Sequence, residues 1–440
     1  MPDSLPPSPP AGLSRREVLA LGALALPAGL LSAHRAAAQD FVQVPLAPEP
    51  ARADPLHDYW DRLPQEFPLE EDLRYFNTAG LGIQPYEVLE RVHAVALEVA
   101  TTGELHREQH FETARGAIAR LLNADPTTLA LTRNATESMN VVARGLSLTG
   151  GDEVILTSHE HPGGAAPWVA VAQELGLRLR LYEPTGDLGR DAEEIWTLRS
   201  NRTRAIVVSH VLATTGAVMP VREIAAVARR HGIWSVIDGA QAAGILPVDV
   251  EDLGADCYLA SGHKWLLGPV ETGFLYVRLD RLPELRTRFA GAYAADAAGW
   301  SLEEGRLQFL DTASRYEYGT RSSAQVAGLA AAIEWQEAVG LDLVRARATA
   351  LARRFRAAID GLPGVEVLTP AGAVAQSPIV TFRVTRRPNR QVFDWLRQEL
   401  RMRLRVVDER GANAVRASFH LVDRRPDVDW LVEAVRVLGA

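Results

Sequence analysis

Ser261-Gly262-His263-Lys264-Trp265 holds the only lysine of a 440-residue chain whose Lys+Arg total is 47, so 46 of its basic residues are arginine. It lies 26 positions after Asp238, which closes the apolar run Trp234-Ser235-Val236-Ile237. Such a skew reflects a GC-rich genome, in which arginine replaces lysine wherever only positive charge is wanted. A lysine that escapes replacement points to chemistry closed to a guanidinium. Arginine stays protonated at any working pH, whereas an ammonium loses its proton and attacks a carbonyl carbon. The plainer alternative is the chance survival of one surface lysine.

Trp234 to Ile237 reads as a short buried strand. Asp238-Gly239-Ala240-Gln241 follows where such a strand ends at the carboxyl edge of a parallel sheet, the ligand edge of open α/β folds. A carboxylate there suits a heteroaromatic nitrogen. Pyridoxal phosphate (PLP) needs that pair of residues: a lysine to carry its aldehyde as an imine, and an acid to keep its pyridinium protonated. Gln241 is placed to donate to the ring's phenolate oxygen. Taken singly, Asp238 is equally a turn or helix-capping residue and Gln241 a polar group on a helix surface.

The cofactor's phosphate needs a seat. Leu129-Ala130-Leu131-Thr132 ends a strand-like run, and Arg133-Asn134-Ala135-Thr136-Glu137-Ser138-Met139-Asn140 opens a helical pattern through Met139, Val142, Ala143 and Leu146. Free amides and the helix dipole bind a dianion at such a terminus. Ala135 and Thr136 are the expected phosphate contacts, with Ser261 and His263 approaching from the lysine loop. A capped helix without a ligand is the alternative.

These motifs, with Tyr75-Phe76-Asn77-Thr78-Ala79-Gly80-Leu81-Gly82, Ser209-His210-Val211, Tyr316-Glu317-Tyr318-Gly319-Thr320-Arg321 and Val415-Arg416-Ala417-Ser418, follow the order seen in class V aminotransferases of PLP fold type I. The chain resembles that family over about residues 75 to 436. Within it the chain looks most like the isopenicillin N epimerase-like branch, which also includes proteins similar to the carbon-sulfur lyase of ergothioneine synthesis. The resemblance implies that Lys264 forms the internal aldimine, that Asp238 pairs with the ring nitrogen and that Gln241 touches the phenolate oxygen. It further implies that His161, in His159-Glu160-His161-Pro162, stacks on the ring. Thr320 is implied to reach the phosphate of a neighbouring subunit's cofactor, which makes the active site shared across a homodimer. Arg416 is implied to grip the substrate α-carboxylate through its bidentate fork. From the residues alone, His161 is as readily a loop histidine in solvent, and Arg416 a surface charge.

Two departures from the family pattern stand out. Related cysteine desulfurases carry a mobile cysteine shortly before the carboxylate-binding arginine, because a thiolate takes the sulfur as a persulfide. Here Val406-Val407-Asp408-Glu409-Arg410-Gly411-Ala412-Asn413 has no thiol, and the only cysteine, Cys257, lies in an apolar stretch that reads as core. Desulfuration through a protein persulfide is therefore not expected. Ala213 stands where many relatives place an asparagine that contacts the cofactor oxygen.

At the amino terminus, Ser14-Arg15-Arg16-Glu17-Val18-Leu19 has the twin-arginine form, followed by an apolar run to Ala33 and a small-residue cleavage site at Ala36-Ala37-Ala38. The run is too short to span a membrane comfortably. The expectation is export in the folded state by the twin-arginine (Tat) machinery, cleavage near Ala38 and a periplasmic or secreted product; an uncleaved anchor is the alternative. With a single cysteine no intramolecular disulfide forms.

The formal charge of −8 and the lack of a dense basic block interleaved with aromatics disfavour a nucleic-acid partner. No metal site is assigned. Apolar strands alternate with helical patterns from Phe76 to about Val277: Glu153 to Thr157, Leu177 to Tyr182, Ala205 to Ser209, Ile233 to Ile237, Cys257 to Ala260 and Gly273 to Val277. That alternation implies an α/β fold with a mainly parallel sheet, seven-stranded if the resemblance to fold type I holds. A smaller C-terminal α+β domain is expected, with strands Val365 to Leu368, Pro378 to Val384, Leu404 to Val407 and Ala414 to Ser418 and a final helix from Asp427 to Leu438. The expected division is residues 1–38 leader, 39–75 extended segment with Phe41 to Pro55 as an irregular lead-in, 76–285 large PLP-binding domain, 286–330 active-site and dimer segment, and 331–440 small domain. Arg286 to Arg315 is expected to border the active-site entrance.

The function these residues imply is a PLP enzyme acting at Cα of an amino acid through an external aldimine. Lys264 removes the proton, Asp238 supports the ring, His161 lies on the opposite face and Arg416 holds the carboxylate. Epimerisation is the first expectation, with β-elimination by a carbon-sulfur lyase or transamination as alternatives that share the first intermediate. A Rossmann dehydrogenase lacks its glycine fingerprint here, since Gly80-Leu81-Gly82 runs into Ile-Gln-Pro. A catalytically silent exported binding protein would not require lysine at 264.

Overall fold

The computed structural model describes residues 56–296, 298–372 and 377–440. The twin-arginine leader, its cleavage site and the lead-in from Phe41 to Pro55 lie outside the described residues.

Seven strands form the large sheet: β1 (Leu129–Thr132), β2 (Glu153–Thr157), β3 (Arg178–Tyr182), β4 (Thr203–Ser209), β5 (Trp234–Asp238), β6 (Cys257–Ser261) and β7 (Gly273–Val277). Their order is β1-β7-β6-β5-β4-β2-β3, and only β7 runs antiparallel to its neighbours. Strands covered on both faces need continuous apolar runs, and β2, β5 and β6 are buried at every residue. The edge strand β3 instead exposes Arg178 and Leu181, and a charged edge resists pairing with another chain.

Helices α1 (Tyr86–Thr102), α2 (Arg107–Leu122), α3 (Ala135–Gly145), α4 (Pro162–Leu175), α5 (Leu188–Thr197), α6 (Val221–Arg230) and α7 (Ser323–Val339) surround this sheet. Alternation along each strand sends side chains to opposite layers. Ile206 and Val208 of β4 join Phe111 of α2, Ile224 of α6 and Ile333 of α7, while Ala205 and Val207 join Met139 of α3 and Trp168 of α4. Small residues let α7 lie close to its neighbours: a Cβ on Gly328 would sit 2.5 Å from Val92 of α1 and 2.7 Å from Pro269. This helix opens the largely helical stretch that the sequence pattern predicts from Arg321 to Ile359, and its Ala330 and Ile333 are held in the core under the large sheet. The chain turns away at Gly340, whose φ of 99° favours glycine.

Beyond it, α8 (Leu341–Ile359), α9 (Asn389–Gln398) and α10 (Arg425–Gly439) accompany a second sheet of β8 (Val365–Val367), β9 (Ile379–Val384), β10 (Arg405–Val407) and β11 (Ala414–Ser418). The order is β8-β9-β11-β10, antiparallel throughout. Phe355 of α8 and Leu431 of α10 pack on Phe382 and Val415.

The described part of the 39–75 segment is not extended as expected. It forms two helical turns, His57–Arg62 and Leu63–Glu66, because Trp60, Leu63 and Phe67 bury their side chains against Trp335 and Leu421. Arg74–Tyr75 then pairs in parallel with Met402–Arg403, tying this segment to the small sheet's side of the molecule. Among the described residues no helix is long and apolar enough to cross a membrane.

Glu317 anchors the start of the large sheet. Its side chain is fully buried, one oxygen accepting from the Leu131 amide at 2.7 Å and Arg115 at 2.8 Å and the other from Arg107 at 2.9 Å. Removing the carboxylate strands a buried guanidinium and a strand amide. Glu317→Ala should therefore cost about 3 kcal/mol of unfolding free energy. Urea unfolding followed by tryptophan fluorescence checks this, and a loss below about 1 kcal/mol would show the cluster to be of little weight.

Candidate active site

The site lies at the carboxyl edge of β5 and β6, where the small sheet meets the large one. Asp238 ends β5 and turns the chain: its Oδ1 accepts from the Ala240 amide at 2.9 Å. Gly239 follows because a Cβ there would sit 2.3 Å from the Tyr258 ring of β6. The other oxygen faces α4, where the Cβ position of Gly164 is 3.1 Å from Oδ2. Burial raises the Asp238 pKa, and the charge of Lys264 opposes the rise.

Lys264 follows β6 in a tight backbone turn. Gly262 donates to Thr272 at 2.7 Å, Gly268 to Gly262 at 2.8 Å and Leu267, itself left-handed at φ 58°, to Lys264 at 3.1 Å. A second loop clamps this one from outside. The Gly82 amide donates to the His263 carbonyl at 2.7 Å, and a Cβ at Gly82 would lie 2.0 Å from the Lys264 carbonyl oxygen. The same loop reaches Ser418 of β11 through the Ala79 amide at 3.0 Å and Gln241 through the Ala79 carbonyl at 2.9 Å. Gln241 is held at its other end by the Trp265 indole at 2.8 Å. Lys264 is half-buried and lines the resulting cavity of about 240 Å³. Desolvation lowers its pKa to about 8; Asp238 opposes that shift, and Arg416 and Arg405 add to it.

The cavity's other walls come from the remaining expected residues. Asn134 caps α3, accepting from the Glu137 amide at 2.9 Å, so that Ala135 and Thr136 begin the helix at the cavity. The Ala135 amide donates to Ser261 Oγ at 3.0 Å. His263 lines the same wall with a buried Nδ1 that has no partner. His161 caps α4, its Nδ1 accepting from the Gly163 amide at 3.0 Å, an arrangement that assigns the ring proton to Nε2. The ring is exposed at the cavity mouth. The surrounding protein, then Lys264 and Arg405, lower its pKa from the ordinary imidazole value, leaving it neutral near pH 7.

Arg416 of β11 is 1% exposed. It donates to the Ala213 carbonyl at 2.8 Å and to Asn77 at 3.5 Å, and its Nε is buried without a partner. Burial lowers its pKa, Arg405 lowers it further and Glu409 opposes; the guanidinium stays charged. At the position where relatives carry asparagine, the Ala213 backbone thus holds the arginine.

Ala135, Thr136, His161, Asp238, Gln241, Ser261, His263, Lys264 and Arg416 therefore meet around one cavity, as their motifs suggested. Thr320 does not: it is exposed and absent from the lining. Nor, among the described residues, does any from Arg286 to Arg315, expected at the entrance, line the cavity; Phe289, Trp300 and Leu302 there are exposed. Two residues escaped the reading of the chain. Arg405 lines the cavity beside Arg416, and nothing in its motif separates it from the other arginines. Glu160 is buried behind Asp238, accepting from Ser209 and Thr157, and burial pushes its carboxyl up to about 7 against those hydrogen bonds. Cys257 is buried in β6, outside the lining, with its thiol pushed up by burial and by Asp256.

The donor set fits PLP: an amine of lowered pKa, a carboxylate behind it, and an unpartnered histidine nitrogen beside an open helix start where a phosphate would sit. A family model described as aminotransferase class-V matches residues 75–431. The isopenicillin N epimerase of Amycolatopsis lactamdurans is 31% identical over 395 residues, covering 86% of this chain and 98% of that protein. A probable cysteine desulfurase of Mycobacterium leprae is 32% identical over 332 residues, 71% of this chain and 77% of that one. Among solved structures, the cystine C-S lyase C-DES in complex with cysteine persulfide, its reaction product, superposes with a TM-score of 0.77 at 30% identity, covering 83% of this chain and 98% of that one. A lysine-to-alanine mutant of C-DES with glycine covalently linked to its PLP cofactor reaches 0.79 at 29% identity, over 84% and 98%.

An amine of pKa about 8 sets a pH profile. Cofactor capture by the apoprotein, followed by absorbance and borohydride fixation, should speed up as pH rises toward 8 and level off above it, because only the unprotonated amine attacks. A rate still climbing at pH 10 would contradict the lowered pKa, and Lys264→Ala should abolish the fixed adduct. Gly82→Ala should weaken cofactor retention while the fold survives, since its Cβ must displace the backbone that carries Lys264; retention equal to wild type would show that the clamp yields.

Proposed function

The chain belongs to the class-V aminotransferase family of PLP enzymes, and from that premise we propose that it removes the Cα proton of an amino-acid substrate, with Lys264 as the base. The observation that carries this reading is the pairing, in one cavity, of an amine whose pKa is lowered to about 8 with the buried Arg416, whose Nε has no partner. Bound PLP supplies the electron sink that stabilises negative charge at Cα. Arg416 orients the substrate by its α-carboxylate, its other nitrogens being held by Ala213 and Asn77. Asp238 would hold the proton on the cofactor's ring nitrogen, its Oδ1 being occupied by the Ala240 amide. Lys264 Nζ, which its lowered pKa of about 8 leaves unprotonated in a minority of molecules at pH 7 and in about half at pH 8, takes the Cα proton and holds it.

Epimerisation is the first outcome, supported by similarity to isopenicillin N epimerases along nearly their whole length. It needs a proton returned from the wall facing Lys264, and His161 is the cavity residue suited to that place. A second reading, β-elimination with Lys264 as the single acid-base, is favoured by the state of His161. Its Nδ1 is occupied by the Gly163 amide and its ring is neutral, so it is a weak proton donor. The loop from Asp408 to Asn413 offers no thiol to accept sulfur, which makes the desulfurase route through a protein persulfide the least supported of the family's reactions.

Two further parts of the proposal extend beyond the single chain. The exposure of Thr320 away from its own cavity is compatible with service to a second copy's phosphate site in a homodimer, and the twin-arginine leader supports export to the periplasm or medium.

Incubation with a panel of amino acids in deuterium oxide, scored for Cα deuterium, configuration, α-keto acid and released thiol or persulfide, distinguishes the outcomes. Deuterium with inverted configuration indicates epimerisation, whereas keto acid with a sulfur product indicates elimination. No Cα exchange with any amino acid would refute the proposal. Arg416→Ala should raise KM about a hundredfold while the cofactor stays bound; an unchanged KM would remove Arg416 from substrate binding.

A further inference from the structure

The antiparallel register of β10 and β11 sets Arg405 directly opposite Arg416. Opposite residues on one face of such a pair lie about 4.5–5.5 Å apart at Cβ, where like charges repel. Both side chains line the cavity, and each keeps a buried nitrogen without a partner: Nε of Arg416 and Nη1 of Arg405. Glu409 takes Nη2 of Arg405, but Arg416 meets only the neutral Ala213 carbonyl and the Asn77 amide. With Lys264 in the same cavity, positive charge exceeds what Glu409 and Asp238 balance. A carboxylate held by Arg416 alone would leave the Arg405 donor unfilled.

The two arginines differ in depth. Arg416 is 1% exposed, whereas the Arg405 side chain is 27% exposed and lies nearer the mouth. The turn after β10 is tied to the large domain, Arg410 bridging to Glu183 at 2.9 Å, and Glu183 in turn meeting His159 at 3.0 Å. Arg405 itself is held by Glu409, which limits its freedom to swing into solvent.

We infer that Arg405 binds a second anionic group on the substrate side chain, so that the preferred substrates are amino acids with a distal acidic group. This rests on the reading that Arg416 takes the α-carboxylate. A neutral side chain would leave the Arg405 donor unsatisfied in every complex, and a distal carboxylate, sulfinate or sulfonate fills it with a charge-assisted hydrogen bond.

The test is a spectral titration of holoprotein with two isosteric pairs, L-aspartate against L-asparagine and L-glutamate against L-glutamine. At least one acid should bind about tenfold tighter than its amide. Arg405→Gln should erase that ratio by weakening the acid, and Arg405→Lys should restore part of it, which a merely structural role would not do; the variants' own cofactor absorbance reports an intact site. Acids and amides binding wild type equally, or Arg405→Gln weakening both by the same factor, would overturn the inference, the latter meaning that both arginines clamp a single carboxylate. If none of the four compounds perturbs the cofactor band while borohydride still tags Lys264, the amino-acid reading falls and takes the inference with it.

Discussion

An amine and a carboxylate, Lys264 and Asp238, are drawn into one poorly solvated cavity, and desolvation shifts the proton affinity of each. Lys264 loses affinity for its proton and Asp238 gains it, while their mutual attraction limits both shifts. That balance is useful only at a fixed separation, because Coulomb energies in a low-dielectric site change steeply over an ångström. Much of the surrounding structure serves to fix it. Parallel β5 and β6 pair Asp238 with Leu259, one turn of chain before the lysine. The reversed strand β7 allows the short turn that carries Lys264, and Gly82 approaches so closely that no side chain fits between.

The loop from Asn77 to Gly82 shows how the two sheets become one site. It hydrogen-bonds Ser418 on the small sheet, Gln241 after β5 and His263 beside the lysine. On the far side, Ser377 and Thr381 donate to the Gly216 and Thr214 carbonyls at 2.6 and 2.7 Å. Arg416 is thereby presented to the lysine from a separate sheet at a depth where a guanidinium is costly unless an anion meets it. The unfilled nitrogens of Arg416, Arg405 and His263 mark where anions belong.

Two stretches of backbone and loop support the arginines. The Ala213 carbonyl accepts from Arg416. The loop after β10 carries no thiol, and the residues there, Glu409 and Arg410, instead secure Arg405 and bridge to Glu183. The rim beside Arg416 is therefore charged and tethered by ion pairs.

Much of this was legible in one dimension. Buried parallel strands must be continuously apolar, so β2, β4, β5, β6 and β7 stood out, and a solitary lysine after a strand-ending aspartate named the cofactor chemistry before any contact was known. Gly340 ended a helix where only glycine tolerates the backbone. What could not be read is whatever depends on partners distant along the chain. Arg405 is one arginine among 46 until strand register sets it beside Arg416. Glu160 is an ordinary acid until Ser209 and Thr157 enclose it. The segment before residue 75 coiled because Trp60 and Phe67 found Trp335. Local residue order carries periodicity and turn chemistry; desolvation, charge neighbourhood and side-chain burial arise only when remote segments are brought into contact.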